Sequence, residues 1–296
     1  MAQRLAFIGL GVMGLPMAGH LLEAGHALTV HARTKSKARA LLTHGATWAS
    51  SPAEAADGAD VVLLCLPDTP DVQTVLLGEK GDNGVIHTIK KHAIVVDHST
   101  ISPSATRGFA DQLRAKGATL LDAPVSGGDV GARNATLAIM VGGGEAAFRK
   151  VEPLLAHMGK SITYCGPSGA GQLTKAVNQI LVSVTNMAVC ESLVFAKRNG
   201  LDLDKTIAAV SGGAAGSWQL SNLGPRMVKH DLRPGFTIDL QQKDLKIVLQ
   251  TAEESNASLP AVSLVHQLFT AAQAAGHGKN GTQALFTVLE KLASLH

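Results

Sequence analysis

The sequence predicts an α/β chain: a doubly wound, mostly parallel sheet followed by an all-helical domain, joined by one long helix. Three observations predict it. Short apolar runs alternate with helical patterns through the first half, a turn-rich stretch Gly166-Pro-Ser-Gly-Ala-Gly171 interrupts them, and no strand pattern returns afterwards. Strand patterns fall at residues 5–8, 27–30, 61–66, 94–96, 119–121, 137–141 and 162–164, and helical ones at 16–24, 35–43 and 102–115. The run at 61–66 is apolar without alternation, as in a strand buried on both faces. Strands separated by helices make parallel, right-handed βαβ units. Residues 172–198 then keep helical periodicity without Pro or Gly, a span of roughly 40 Å. Gly200 ends it, and helical patterns follow at 204–210, 219–229, 240–254, 261–275 and 282–294. The expected domains are residues 1–166 and 167–296.

Bulk properties exclude several classes. A length of 296 residues suits one large or two ordinary domains, and 46% hydrophobic with 17% charged residues is globular rather than disordered. Lys+Arg 26 against Asp+Glu 23 is too balanced, and too dispersed, for a nucleic-acid surface. Cys65, Cys165 and Cys190 lie far apart with no CxxC pair, which reads as reduced thiols in a cytoplasm. Cys65 and Cys190 fall in apolar patterns and are expected to pack in cores. Twelve histidines show no HExxH motif and no Cys/His cluster, so no metal is expected. Neither a charged leader nor an apolar run near 18 residues is evident, so neither secretion nor a membrane span is expected.

Gly9-Leu-Gly-Val-Met-Gly14 matches G-x-G-x-x-G directly after the first strand pattern and at the start of a helical one. That context makes residues 1–166 a Rossmann-type dinucleotide-binding domain. Gly9 suits the tight turn, Gly11 lets backbone approach a pyrophosphate, and Gly14 lets helix and strand pack closely. The unpaired N–H groups near Val12 and Met13 would face the phosphates along the helix dipole. NAD binders place an acid about 20 residues further on, to hold the ribose 2′-hydroxyl. Here that stretch reads Val30-His-Ala-Arg-Thr-Lys35, followed by Ser36 and Lys37, with no acid. Arg33 and Thr34 suit a 2′-phosphate, so NADP is expected, with NAD as the alternative. The turn at Leu66 and Pro67, and Thr100, end later strand patterns and are expected on the cofactor's ribose and nicotinamide side.

Asp122-Ala-Pro-Val-Ser-Gly-Gly128 ends another strand pattern. Ser126, with Gly127 and Gly128, offers a hydroxyl and open backbone N–H groups to a carboxylate. Lys175, Asn178 and Gln179 stand at i, i+3 and i+4 on one face of the long helix. A lysine beside a cofactor, without a neighbouring carboxylate, can give and take a proton.

With these residues, the chain resembles the β-hydroxyacid dehydrogenase family over almost its whole length. The marks are Phe7-Ile-Gly-Leu-Gly-Val-Met-Gly-Leu-Pro-Met-Ala18, Asp122 to Gly128, Gly169-Ala-Gly-Gln-Leu-Thr-Lys175 with Asn178-Gln179, and Pro234-Gly-Phe-Thr-Ile-Asp-Leu-Gln-Gln-Lys-Asp-Leu245. The resemblance implies that Lys175 is the proton-transferring lysine, that Ser126, Gly127 and Gly128 hold the substrate carboxylate, and that Asn178 and Gln179 serve substrate. It implies that Lys243 closes over cofactor and substrate. It also implies a homodimer or homotetramer formed through residues 167–296. Among its branches, residues 122–137 and Gly212-Gly-Ala-Ala-Gly-Ser217 are most similar to tartronate semialdehyde reductases. The basic stretch at 33–37 is similar to NADPH-using semialdehyde and glyoxylate reductases. Asn280-Gly-Thr-Gln-Ala284 departs from the acid-containing segment that many relatives carry there.

The expected activity is therefore reduction of a small semialdehyde carboxylic acid, first tartronate semialdehyde to glycerate. The alternatives are 3-hydroxyisobutyrate dehydrogenation and succinic semialdehyde or glyoxylate reduction. An imine reductase usually carries Asp or Tyr where Lys175 stands. A catalytically silent nucleotide-sensing module would tend to lose that lysine.

Overall fold

The structure, a computed structural model, describes residues 3–78 and 83–295. The chain divides into two compact units at Lys175/Ala176, inside the long helix.

The first unit runs β1 (Arg4–Ile8), α1 (Gly14–Glu23), β2 (Ala27–His31), α2 (Arg39–Thr43), β3 (Thr47–Trp48), α3 (Pro52–Ala56), β4 (Val61–Leu64) and α4 (Thr69–Leu77). It continues with β5 (Ile94–Asp97), α5 (Pro103–Ala115), β6 (Thr119–Asp122), β7 (Val125–Ser126), α6 (Gly128–Arg133), β8 (Leu137–Gly142), α7 (Glu145–Leu155) and β9 (Gly159–Gly166). The strands form one sheet in the order β3-β2-β1-β4-β5-β6-β8-β7, with β9 also paired to β8. Strands β1 to β6 pair in parallel, whereas β8 runs antiparallel to β6 and β7. The chain starts in the middle of the sheet, winds outward through β2 and β3, then returns to build the other half. That reversal opens a crevice at the carboxyl ends of β1 and β4.

Burial explains why the strands read as they do. Leu5 and Phe7 of β1 enter one hydrophobic core, whereas Ala6 and Ile8 enter another on the opposite face of the sheet. Helices therefore cover both faces, and all four residues of β4 are buried. Burying a side chain such as Phe7 contributes about 2 kcal/mol.

The second unit carries most of α8 (Ala170–Arg198), then α9 (Leu203–Ser211), α10 (Trp218–Val228), α11 (Ile238–Glu254), α12 (Pro260–Ala274) and α13 (Leu285–Leu292). Its own core gathers Cys190 and Leu193 of α8, Met227, Leu245, Phe269 and Phe286. Asp202, Ser217 and Thr237 cap α9, α10 and α11 by accepting from backbone N–H groups of the first turn.

Several sequence expectations change. The 61–66 strand stops at Leu64. The 35–43 helix opens as a 3₁₀ turn, Lys35–Ala38, in which Lys37 N–H donates to Thr34 O, and only then becomes α2. The 282–294 helix likewise opens with a 3₁₀ turn, Thr282–Ala284. Six elements had no sequence pattern: β3, α3, α4, β7, α6 and α7. Four of these have six residues or fewer, too short to show a period. One helix is more apolar than its interrupted sequence runs suggest: an 18-residue window of α8 has mean hydropathy 1.5, enough by length and composition to cross a membrane. Polar residues interrupt that stretch, and 44% of the window is buried inside the protein.

Candidate active site

The first unit gathers the expected cofactor residues at one edge of its sheet, because each follows the carboxyl end of a parallel strand. Gly9 follows β1, Arg33 and Thr34 follow β2, Leu66 and Pro67 follow β4, and Thr100 follows β5. Gly9 has φ +104°, a conformation open to glycine, and its N–H donates to His31 O. A Cβ on Gly9 would sit 2.3 Å from Cys65 O, and one on Gly14 would sit 2.0 Å from Gly9 O. A Cβ on Gly11 would meet nothing within 4 Å. The loop thus packs hard against the sheet on one side and opens to space on the other. Met13, just before α1, gives that helix no side-chain cap, its first turn holds no acid, and Val12 is 72% exposed. An uncapped helix start of this shape fits an anion such as a dinucleotide pyrophosphate.

Arg33 is almost fully exposed, and its guanidinium lies 3.7 Å from Asp71 of α4. Asp71 thus pairs with Arg33 from an element that the sequence around Arg33 does not contain. The loops after β4 and β5 are tied together, since Leu66 N–H donates to Ser99 Oγ at 2.9 Å. Next to Ser99, His98 is buried. Its Nδ1–H donates to Ala123 O at 2.8 Å, and its Nε2 is buried with no hydrogen-bond partner among the described residues. Burial holds the His98 pKa down to about 4.

The ring is therefore neutral in the fold, with a consequence for stability. The folded value lies below the ordinary 6.5. Stability is complete above pH 6.5 and is lost as pH falls from 6.5 toward 4, because only the unfolded chain takes up the proton. By pH 5 the loss amounts to about 2 kcal/mol. His98→Asn keeps a donor to Ala123 O and removes the titration. Between pH 7 and pH 5 the parent should lose about 2 kcal/mol more than this variant in urea unfolding. Equal losses would contradict the assignment.

Ser126 lies in β7, paired with Ala138 of β8. Gly127, with φ +130°, turns the chain into α6, and a Cβ on Gly128 would meet nothing within 4 Å. Lys175 stands in the second turn of α8 and is only 7% exposed. Sequence reasoning quoted Asp122 and Gln172 within motifs but gave them no role. Asp122 is wholly buried, and its carboxylate accepts from Gly169 N–H at 2.8 Å and Gln172 N–H at 2.9 Å at the start of α8. Burial raises its pKa, against the pull of those backbone donors.

In the second unit, Asn178, Gln179 and Lys243 come together through a residue not singled out beforehand. Asn178 Nδ2 donates to Gln179 Oε1 at 2.7 Å, and Gln179 Nε2 donates to the buried Asp244 carboxylate at 2.5 Å. Lys243 Nζ lies 2.8 Å from the other Asp244 oxygen. The carboxylate fixes which end of the Gln179 amide donates, and so orients the Asn178 amide. Among the described residues no group of three or more His, Cys, Asp or Glu could hold a metal ion.

Known proteins resemble the chain over nearly its whole length. Residues 4–166 match a family described as the NAD-binding domain of 6-phosphogluconate dehydrogenase, and residues 169–289 match the NAD-binding region of NADP-dependent 3-hydroxyisobutyrate dehydrogenase. The chain is 43% identical to 2-hydroxy-3-oxopropionate reductase of Escherichia coli, over 98% of each chain. A Mycobacterium tuberculosis 3-hydroxyisobutyrate dehydrogenase with L-serine superposes with a TM-score of 0.89 at 32% identity, covering 98% of this chain and 99% of that one. A structure described as Psf3 with NADP+ and 2-OPP gives 0.87 at 28% identity, covering 96% and 99%. The family models and these relatives make the chain an NAD(P)-dependent oxidoreductase acting on CH–OH groups. The chain belongs to the β-hydroxyacid dehydrogenase family.

Proposed function

We propose that this enzyme reduces tartronate semialdehyde to glycerate, prefers NADPH, and uses Lys175 as the general acid. One observation carries the substrate: the 43% identity to 2-hydroxy-3-oxopropionate reductase, which is tartronate semialdehyde reductase, over 98% of both chains. The bound cofactor supplies the hydride. Gly9, Gly11, Val12, Met13 and Gly14 hold its pyrophosphate, and Leu66, Pro67 and Thr100 flank its ribose and nicotinamide. Arg33 and Thr34 face the 2′-phosphate, while Ser126, Gly127 and Gly128 bind the substrate carboxylate. The Lys175 ammonium stabilises the oxyanion developing on the aldehyde oxygen and protonates it. Asn178, just under one turn further along the same helix, hydrogen-bonds that oxygen. Gln179 acts through Asn178, and Lys243 completes the binding of cofactor and substrate. Incubation with NADPH and tartronate semialdehyde should yield glycerate by proton NMR; a persistent aldehyde signal would contradict the assignment.

NADPH preference rests on Arg33 and Thr34. Arg33→Ala should weaken NADPH binding about tenfold and leave NADH binding nearly unchanged, read as Kd by nicotinamide fluorescence. Equal weakening of both would mean that Arg33 is only a solvated side chain.

A second reading, oxidation of 3-hydroxyisobutyrate, is favoured by the family description for residues 169–289. In that direction neutral Lys175 takes the hydroxyl proton. We further propose a homodimer or homotetramer in the cytoplasm. Val177, Leu181 and Phe195 of α8 are 57%, 63% and 68% exposed, an apolar surface that association would cover. All three cysteines are free thiols, in keeping with a reducing compartment.

A further inference from the structure

We propose that Gln172, anchored by Asp122, is a positioning residue that fixes Lys175 against the loop at residues 99–101. This rests on the reading of Lys175 as the proton donor.

Both ends of the Gln172 amide are engaged. Oε1 accepts from Ile101 N–H at 3.1 Å, and Nε2 donates to Ser99 O at 2.7 Å. The two contacts straddle Thr100 and fix the sense of the amide, because its carbonyl meets a donor and its NH₂ meets a carbonyl. Gln172 is only 2% exposed, so water cannot replace either bond without an opening of the structure. The backbone N–H of the same residue donates to Asp122. Gln172 therefore joins three pieces: the strand end at Asp122, the loop after β5 and the first turn of α8. Through Ser99 Oγ and Leu66 N–H the linkage extends to the loop after β4.

The backbones here leave no slack. A Cβ on Gly171 would lie 2.5 Å from Met140 O and 2.6 Å from Asp122 O. A Cβ on Gly142 would lie 2.6 Å from Gly171 N. The helix start is thus seated against β6 and β8, and Gln172 ties it sideways to the loop at 99–101. Lys175 follows three residues later, less than one helical turn and about 4.5 Å along the axis. Any tilt of that turn moves its ammonium, and sub-ångström placement governs proton transfer.

Two variants test this. Gln172→Met keeps the length and removes both hydrogen bonds. Expected are a kcat for tartronate semialdehyde at least tenfold lower, an NADPH Kd within threefold of the parent, and amide exchange at Ile101 at least tenfold faster in the cofactor-free protein. A kcat within twofold of the parent, or unchanged exchange at Ile101, overturns the proposal. Gln172→Glu keeps one acceptor but sets a carboxylate oxygen against Ser99 O. Burial raises the pKa of such a carboxyl, and its protonated form regains a donor. The kcat ratio of Gln172→Glu to parent should rise at least fivefold from pH 8 to pH 5.5, a recovery that general loosening of the helix would not produce. A flat ratio overturns the proposal, and it decides the matter alone if Gln172→Met does not fold. Lys175→Ala is assayed beside both. Parent-like turnover there removes the reading of Lys175 itself, whereas an inactive Lys175→Ala beside a parent-like Gln172→Met removes only the positioning role.

Discussion

Lys175→Ala should lower kcat for tartronate semialdehyde about a thousandfold, within the range set by losing a positioned general acid, while NADPH binds with its parent Kd. The expectation follows from where the lysine sits. Lys175 is buried in the second turn of α8, a helix start clamped by the Asp122 carboxylate. In the proposed reading the pyrophosphate cradle is built on β1 and α1, and the 2′-phosphate side on the residues after β2. Neither includes Lys175, so cofactor affinity and turnover separate in this variant. Lys175→Arg should also be slow, because guanidinium keeps its charge but does not surrender a proton near neutral pH. Cofactor fluorescence gives Kd, and absorbance at the nicotinamide band gives kcat. Parent-like turnover in Lys175→Ala would remove the lysine from the chemistry.

Asp244→Ala should have the next largest effect, on stability and on substrate KM together. It removes the acceptor of Gln179 Nε2 and the carboxylate 2.8 Å from Lys243. Deleting one partner of a buried charged pair costs about 3 kcal/mol. Without Asp244 the Gln179 amide is free to turn, and the Asn178 amide that donates to it loses its fixed orientation. KM for tartronate semialdehyde should therefore rise about tenfold, roughly the value of one charge-assisted hydrogen bond. Asp244→Asn keeps an oxygen acceptor for Gln179 and should retain more substrate affinity than Asp244→Ala. Urea unfolding and initial-rate kinetics measure the two effects. Parent-like stability and KM in Asp244→Ala would mean that the chain from Asn178 to Lys243 is not coupled.

The sequence revealed what is local and repeated. The glycine loop, the strand-helix alternation and the long helix are written in adjacent residues, and each appears where its pattern falls. Short elements escaped because period needs length: β3 is two residues, and α3 is a proline-led, alanine-rich turn capped by Ser51. The pairing of β8 against β6 and β7 escaped because strand direction depends on the path between strands, which residue patterns do not encode. In the candidate site, residues proposed for the chemistry of their own side chains, such as Arg33 and Lys175, stand out by type in the sequence. Residues that act by bridging were not. Asp122 and Gln172 are 50 residues apart in sequence, and the value of either lies in the other's backbone or in the loop at 99–101. Arg33 shows the same limit, since Asp71 reaches it from α4.

As proposed, this member of the β-hydroxyacid dehydrogenase family is a tartronate semialdehyde reductase that prefers NADPH. Its most direct test is kcat/KM for tartronate, succinic and methylmalonate semialdehydes and for glyoxylate, each assayed with NADPH and NADH. The highest value is expected for tartronate semialdehyde with NADPH, about tenfold or more above every other pairing, a margin that about 1.4 kcal/mol of differential transition-state binding supplies. A higher value for any other substrate, or for NADH, would contradict it.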